Sequence, residues 1–148
     1  MRARSFHGET RVISRRGAEA QRRGGFACDM AALSPAERSA HAEVMKRVFG
    51  SVRAVENLPE GYAFSVPVSE LVAVSEFVPL ERRYCPFFGF SLEIAPEGDV
   101  FELRITGPEG VRPFIQAEFG TVLPPAIRVA FRATRYDASK PTARDRPR

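Results

Sequence analysis

Apolar and polar residues alternate with a period of two on either side of a short break. Phe88, Phe90, Leu92 and Ile94 fall on one side of a first segment, and Phe101, Leu103 and Ile105 on one side of a second. Pro96, Glu97, Gly98 and Asp99 lie between them and supply turn chemistry, so the pair predicts a β-hairpin. Ser91, Glu93, Glu102 and Arg104 take its polar side. A lone hairpin is marginal in water, so the apolar side requires a helical layer from the flanking chain.

That layer is legible as stripes of period 3.6. Ser34, Pro35 and Glu37 form a capping-box start, and Val44, Val48 and Val52 follow on one face, with Met45 and Phe49 beside them. Leu58-Pro59-Glu60-Gly61 is a turn, after which Tyr62, Phe64 and Val66 alternate as a strand. Ser69 is positioned to cap a second helix in which Leu71, Val74, Phe77 and Val78 face inward. Pro79 predicts a kink or restart in that helix, and Pro86 predicts its end. Thr106-Gly107-Pro108-Glu109-Gly110 reads as a strand-to-helix turn, and Val111, Phe114, Ile115 and Phe119 as the helix it opens, closed by Gly120. Phe26 to Met30 reads as a short edge strand or a simple lead into the first helix, and Ile127 to Phe131 as an added strand. Together these elements predict an α+β fold: a small two-layer sandwich, with an antiparallel sheet and the helices packed on one face.

Composition changes the picture at the ends. The formal net charge of +4 is unevenly spread: residues 1–25 carry seven Arg against Glu9 and Glu19, and residues 123–148 carry six Arg and Lys140 against Asp137 and Asp145. The middle is therefore acidic. Three units follow: a basic disordered arm over 1–25, an α+β domain over 26–122, and a basic Pro-rich tail over 123–148, largely disordered. Nucleic-acid binding through a folded basic face is excluded, which leaves only the tails for such a partner. No apolar run approaches the roughly 18 residues of a membrane span, and no signal-peptide core follows the Arg-rich start, so the expectation is a cytoplasmic protein with no membrane contact. With two cysteines, Cys28 and Cys85, no disulfide framework is implied, and a reducing compartment predicts two thiols.

Four separated stretches also resemble a family of small uncharacterised bacterial proteins. They are CDMAALSPAER at 28–38, LPEGYAF at 58–64, LERRYCPFFGFSLEI at 80–94 and LRITGPEGVRPF at 103–114. The likeness covers about 26–120 and implies a thiol cluster but no assigned reaction. The family pattern has adjacent cysteines where this chain has Tyr84-Cys85, which reduces a cluster of three thiols to two.

The chemistry that survives centres on those two cysteines. Cys28 and Cys85 offer a two-thiolate site for a soft or borderline ion such as zinc, copper(I) or mercury(II), or a redox-sensing pair, with His41 as third ligand. The structural alternative is a pair of inert core thiols. His41 also stands at i, i+4 from Glu37, which predicts a surface pair on the helix. No nucleophilic triad, His-Glu-x-x-His, CxxC or phosphate loop is present. The balance favours a non-enzymatic domain that binds an unidentified protein or small ligand. The enzymatic alternative is thiol chemistry at Cys85 activated by Arg82 or Arg83, and it requires an accessible sulfur.

Overall fold

The computed structural model describes residues 27–133. Ser34 caps helix α1 (Pro35–Gly50): its hydroxyl accepts from the Glu37 amide at 3.1 Å, and the Glu37 carboxylate accepts from the Ser34 amide at 3.1 Å. Pro35 occupies the first helical position, where a missing N–H costs nothing. Val44, Val48, Phe49 and, just beyond the helix, Val52 are buried from this element.

Next come strands β1 (Ala54–Leu58) and β2 (Gly61–Pro67), a hairpin of which only the second strand is legible in the sequence. Gly61 is required at the turn, because a Cβ there would sit 2.0 Å from the Ile105 carbonyl oxygen. The predicted hairpin forms as β3 (Gly89–Glu93) and β4 (Val100–Thr106). All pairings are antiparallel and the order is β1-β2-β4-β3. Tyr62 lies opposite Ile105, Phe64 opposite Leu103 and Val66 opposite Phe101, so the register stacks these six apolar residues of the two central strands on one face.

The helices cover that face, as the α+β sandwich requires. Phe49 of α1 stacks on Phe119 at 4.3 Å and meets Phe64 and Phe77 edge-on at 5.2 and 5.5 Å. Phe77 lies on helix α2 (Leu71–Tyr84) and Phe119 on helix α3 (Val111–Phe119), so these rings join three helices to the sheet. On the other face Arg104 pairs with Glu102 and, at 3.6 Å, with Glu93.

Several expectations need correction. Helix α2 continues through Pro79 without a restart, and Pro79 itself is exposed. It begins at Leu71 after a short 3₁₀ turn (Val68–Glu70) rather than under a Ser69 cap. Helix α3 begins at Val111, with Gly110 at φ 87° as its N-cap, at the end of the predicted strand-to-helix turn. Leu92 in edge strand β3 and Ile94 just after it are 44% and 52% exposed rather than buried on the apolar side.

The largest correction concerns the C-terminal boundary at 122. Pro125–Ala133 forms a fourth helix, α4, in place of the expected strand, and both Leu123 and Phe131 are buried in the core. Phe131 packs against Tyr62 at 4.6 Å and Phe64 at 6.0 Å between ring centres. Residues 1–26 and 134–148 lie outside the described residues, and with them the disordered-arm expectation, most of the tail expectation and the nucleic-acid contact assigned to both.

Candidate functional site

The most unusual chemistry in the domain gathers where the chain leading into α1 meets the C-terminal ends of α2 and α3. Residues 27–29 run alongside the end of α2, and the Asp29 amide donates to the Tyr84 carbonyl at 2.7 Å. Asp29 then caps a 3₁₀ turn (Met30–Ala32) by accepting from the Ala31 amide at 3.0 Å. Arg83 closes the arrangement from the other side. It donates to the Ala32 carbonyl at 2.8 Å and pairs with Glu37, whose carboxyl this contact, first of all, holds down to about 2. Tyr84 adds an O–H donated to Met30 Sδ at 3.0 Å. The leading segment is thus anchored at several points by ordinary non-covalent contacts.

Those contacts set Cys28 beside Cys85, and the two sulfurs are bonded as a disulfide, with the Cα atoms 4.5 Å apart. This corrects the expectation of two free thiols: the segment read as an edge strand or a lead into the first helix forms no strand over 27–29 and is docked directly against the helix end that carries Cys85. Cys85 is fully buried at the C-cap of α2, whereas Cys28 keeps partial access to solvent. Arg83 is occupied by Glu37 and Ala32 and Cys85 is inaccessible, so the low-pKa exposed sulfur that thiol catalysis by Cys85 requires is not what the geometry presents.

His41 stands elsewhere than expected. It is buried, and its Nε2 is hydrogen-bonded to Oε2 of Glu81, a carboxylate with no exposed surface. The surface pair with Glu37 is therefore replaced by a buried pair between α1 and α2, because the His41 side of α1 faces the helix partner and Glu37 turns toward Arg83. The imidazole lies over Phe77 at 5.8 Å and near Tyr84 at 5.2 Å. The other oxygen of Glu81, Oε1, has no hydrogen-bond partner among the described residues.

The donor that does approach the sulfurs is Glu118, on the last turn of α3. One carboxylate oxygen of Glu118 and the sulfurs of Cys28 and Cys85 lie within 4.8 Å of one another. Burial, and then the nearby Glu81, raise the Glu118 pKa, while His41 opposes the shift. Burial also raises Tyr84, with smaller contributions from Glu118 and Glu81. Sequence reasoning missed Glu118 and the burial of Glu81. A signal was nonetheless present: Glu81 continues the stripe of Val74 and Phe77, Glu118 that of Val111 and Ile115, and His41 that of Val44 and Val48, so each is an ionisable residue in phase with an apolar face.

A second concavity, a cleft of about 530 Å³, lies between the LPEGY turn and the TGPEG turn. Arg112 on its wall donates to the Leu58 carbonyl at 2.6 Å and to Asn57 Oδ1 at 2.8 Å, and sits over the Tyr62 ring at 4.6 Å. Gln116 donates to the Tyr62 hydroxyl at 2.8 Å. Arg112 thereby clips α3 to the first hairpin, and Glu60 and Glu109 at the cleft oppose an anion there. Among the described residues no helix is long and apolar enough to cross a membrane. Compared with protein-family models, with curated proteins and with solved structures, the chain gives no match.

Proposed function

We propose that the domain is a thiol–disulfide redox module whose working part is the Cys28–Cys85 pair, opened and closed by low-molecular-weight thiols in a cytoplasmic setting. The observation that supports it is the three-way meeting of a solvent-reachable sulfur, a buried partner sulfur and a part-buried carboxyl, held together by contacts that do not depend on the bond itself.

Opening begins at Cys28, the sulfur that solvent reaches. An incoming thiolate attacks Cys28 Sγ, the Sγ–Sγ bond breaks, and Cys85 leaves as a thiolate while Cys28 becomes a mixed disulfide. The Cys85 thiolate forms in a site shielded from water, where a charge is costly. Glu118, with its carboxyl proton retained to higher pH than usual, is within range to protonate it. A second thiol then releases Cys28 as its thiol and departs as the low-molecular-weight disulfide. Overall, two thiols are oxidised and one protein disulfide is reduced by two electrons.

Tyr84, His41 and Glu81 form a connected group near Glu118. The Glu81–His41 pair supplies fixed polarity beside Glu118, and Tyr84 holds the Met30 segment. The test is equilibration in glutathione buffers of stepped poise, followed by alkylation and thiol counting with circular dichroism in parallel. Two thiols are expected to appear together in protein that keeps its fold, with a midpoint above about −300 mV. Thiols that appear only below that potential, or only after unfolding, reduce the bridge to a structural staple.

A further inference from the structure

The bonded state is only one of two that the donor set allows. We propose that, once reduced, the same corner holds one zinc-class divalent cation through Cys28 Sγ, Cys85 Sγ and a carboxylate oxygen of Glu118, so that metal binding is conditional on the redox state of the pair. This rests on the reversible bridge proposed above.

The geometry requires little adjustment. The three donor atoms already lie within 4.8 Å of one another. In a tetrahedral site with zinc–sulfur bonds of about 2.3 Å, two sulfurs stand about 3.8 Å apart, so the bonded pair must open by under about 2 Å. Side-chain rotation at Cys28 supplies such a movement while its backbone stays in place. The Asp29–Tyr84 hydrogen bond and the Arg83 contacts to Ala32 and Glu37 are separate from the sulfur–sulfur bond and are available to hold the segment when it opens.

Charge points the same way. Reduction creates two potential anions next to a carboxyl that is already part-buried, and a divalent cation neutralises most of the resulting charge where solvent cannot. On binding, the ion takes up both thiolates and the carboxylate, and their protons leave to solvent. Neither the metal nor the sulfurs change oxidation state in that step.

The donor set also narrows the ion. Two thiolates exclude magnesium and calcium, which take oxygen ligands, and a carboxylate oxygen suits a borderline ion such as zinc better than copper(I) or mercury(II). His41, the ligand expected from the sequence, is engaged by Glu81 instead, and Glu118 takes the third position. Three protein ligands leave a fourth coordination position open to water or an exogenous group.

The experiment uses the full chain, reduced with a phosphine under argon and titrated with cobalt(II) and then zinc. One cobalt per chain is expected, with an intense sulfur-to-cobalt charge-transfer band in the near ultraviolet and visible bands of tetrahedral strength, both bleached by zinc. The oxidised chain should show neither. Glu118→Gln should retain the charge-transfer band and lose at least tenfold in affinity, whereas Cys28→Ser should lose much of the band. A folded, reduced chain with two countable thiols and no charge-transfer band overturns the metal site and leaves the redox module standing. Unchanged affinity in Glu118→Gln removes Glu118 as the ligand and overturns the site as assigned. Equal binding by the oxidised chain overturns it too. Thiols that can be counted only after unfolding overturn both proposals.

Discussion

Reduction of Cys28–Cys85 should weaken the domain by an amount that two unrelated measurements can check against each other. The bond closes a loop across 57 residues. On the chain-entropy account, a loop of that length removes about 4 kcal/mol of freedom from the unfolded chain, and this is the ceiling on what the bond contributes. For a domain near this size about 1 kcal/mol corresponds to about 4 °C, so the melting temperature should fall by up to about 15 °C on reduction. The fold should survive that loss, since typical domains hold about 5–15 kcal/mol and the non-covalent anchors of the leading segment remain.

The same energy must appear in the redox potential, because the bond stabilises the fold by as much as the fold stabilises the bond. At about 30 mV per 1.4 kcal/mol, the full ceiling makes the pair about 90 mV harder to reduce in the folded chain than in urea. The assay is scanning fluorimetry of oxidised and reduced protein beside redox titrations with and without denaturant. Agreement between the two energies supports the account. A reduced chain that has lost its cooperative transition at 25 °C refutes it, since the bond would then be holding the fold alone. A pair of countable thiols with no change in melting temperature refutes it from the other side.

Three further outcomes are expected. Replacing His41 with Ala strands the fully buried Glu81 carboxylate and should cost about 3–5 kcal/mol in urea titration, while replacing both residues with Leu should cost much less; equal losses would show that the pair matters only for packing. Phe131→Ala should cost about 3–5 kcal/mol if α4 belongs to the core, and a loss under 1 kcal/mol would return residues 123–133 to the status of a tail. Glu37 is held at about 2 in the folded chain against 4.5 in the unfolded one, so its contribution is fully present above pH 4.5 and fades as the pH falls toward 2. Arg83→Met should flatten that part of the stability–pH curve, and an unchanged slope would remove the Glu37–Arg83 contact from the account.

The fold was readable where one periodicity ruled a stretch without competition. The capping box at Ser34, the inward face of β2 and the β3–β4 hairpin were all of this kind. Strand β1 was not, because Ala54-Val55-Glu56-Asn57-Leu58 carries too little alternation to announce itself, and it forms because β2 offers it a partner. Helix α4 was misread for a related reason. Ile127, Val129 and Phe131 satisfy a period of two, while Leu123, Ile127 and Phe131 satisfy a period near four, and only packing against Tyr62 decides between them. Pro79 leaves a restart of the helix open in the sequence, because its cost depends on whether the helix face it occupies meets water or the core, which the local sequence does not state.

The site was half readable, and the missing half has a common cause. Two cysteines 57 positions apart could be named as a pair, but which carboxylates join them depends on how three helix ends converge. Each of those ends places an ionisable residue on a stripe that is otherwise apolar: His41 early in α1, Glu81 late in α2 and Glu118 late in α3. A stripe built only for packing would carry a leucine or valine there, since burying a carboxylate beside a second one works against stability. One such substitution is easily absorbed by a local partner, as Glu81 is by His41. Three gather at the same corner, one with an oxygen that has no hydrogen-bond partner among the described residues and another within reach of two sulfurs, and these are the groups that the proposed proton transfer and cation binding would use.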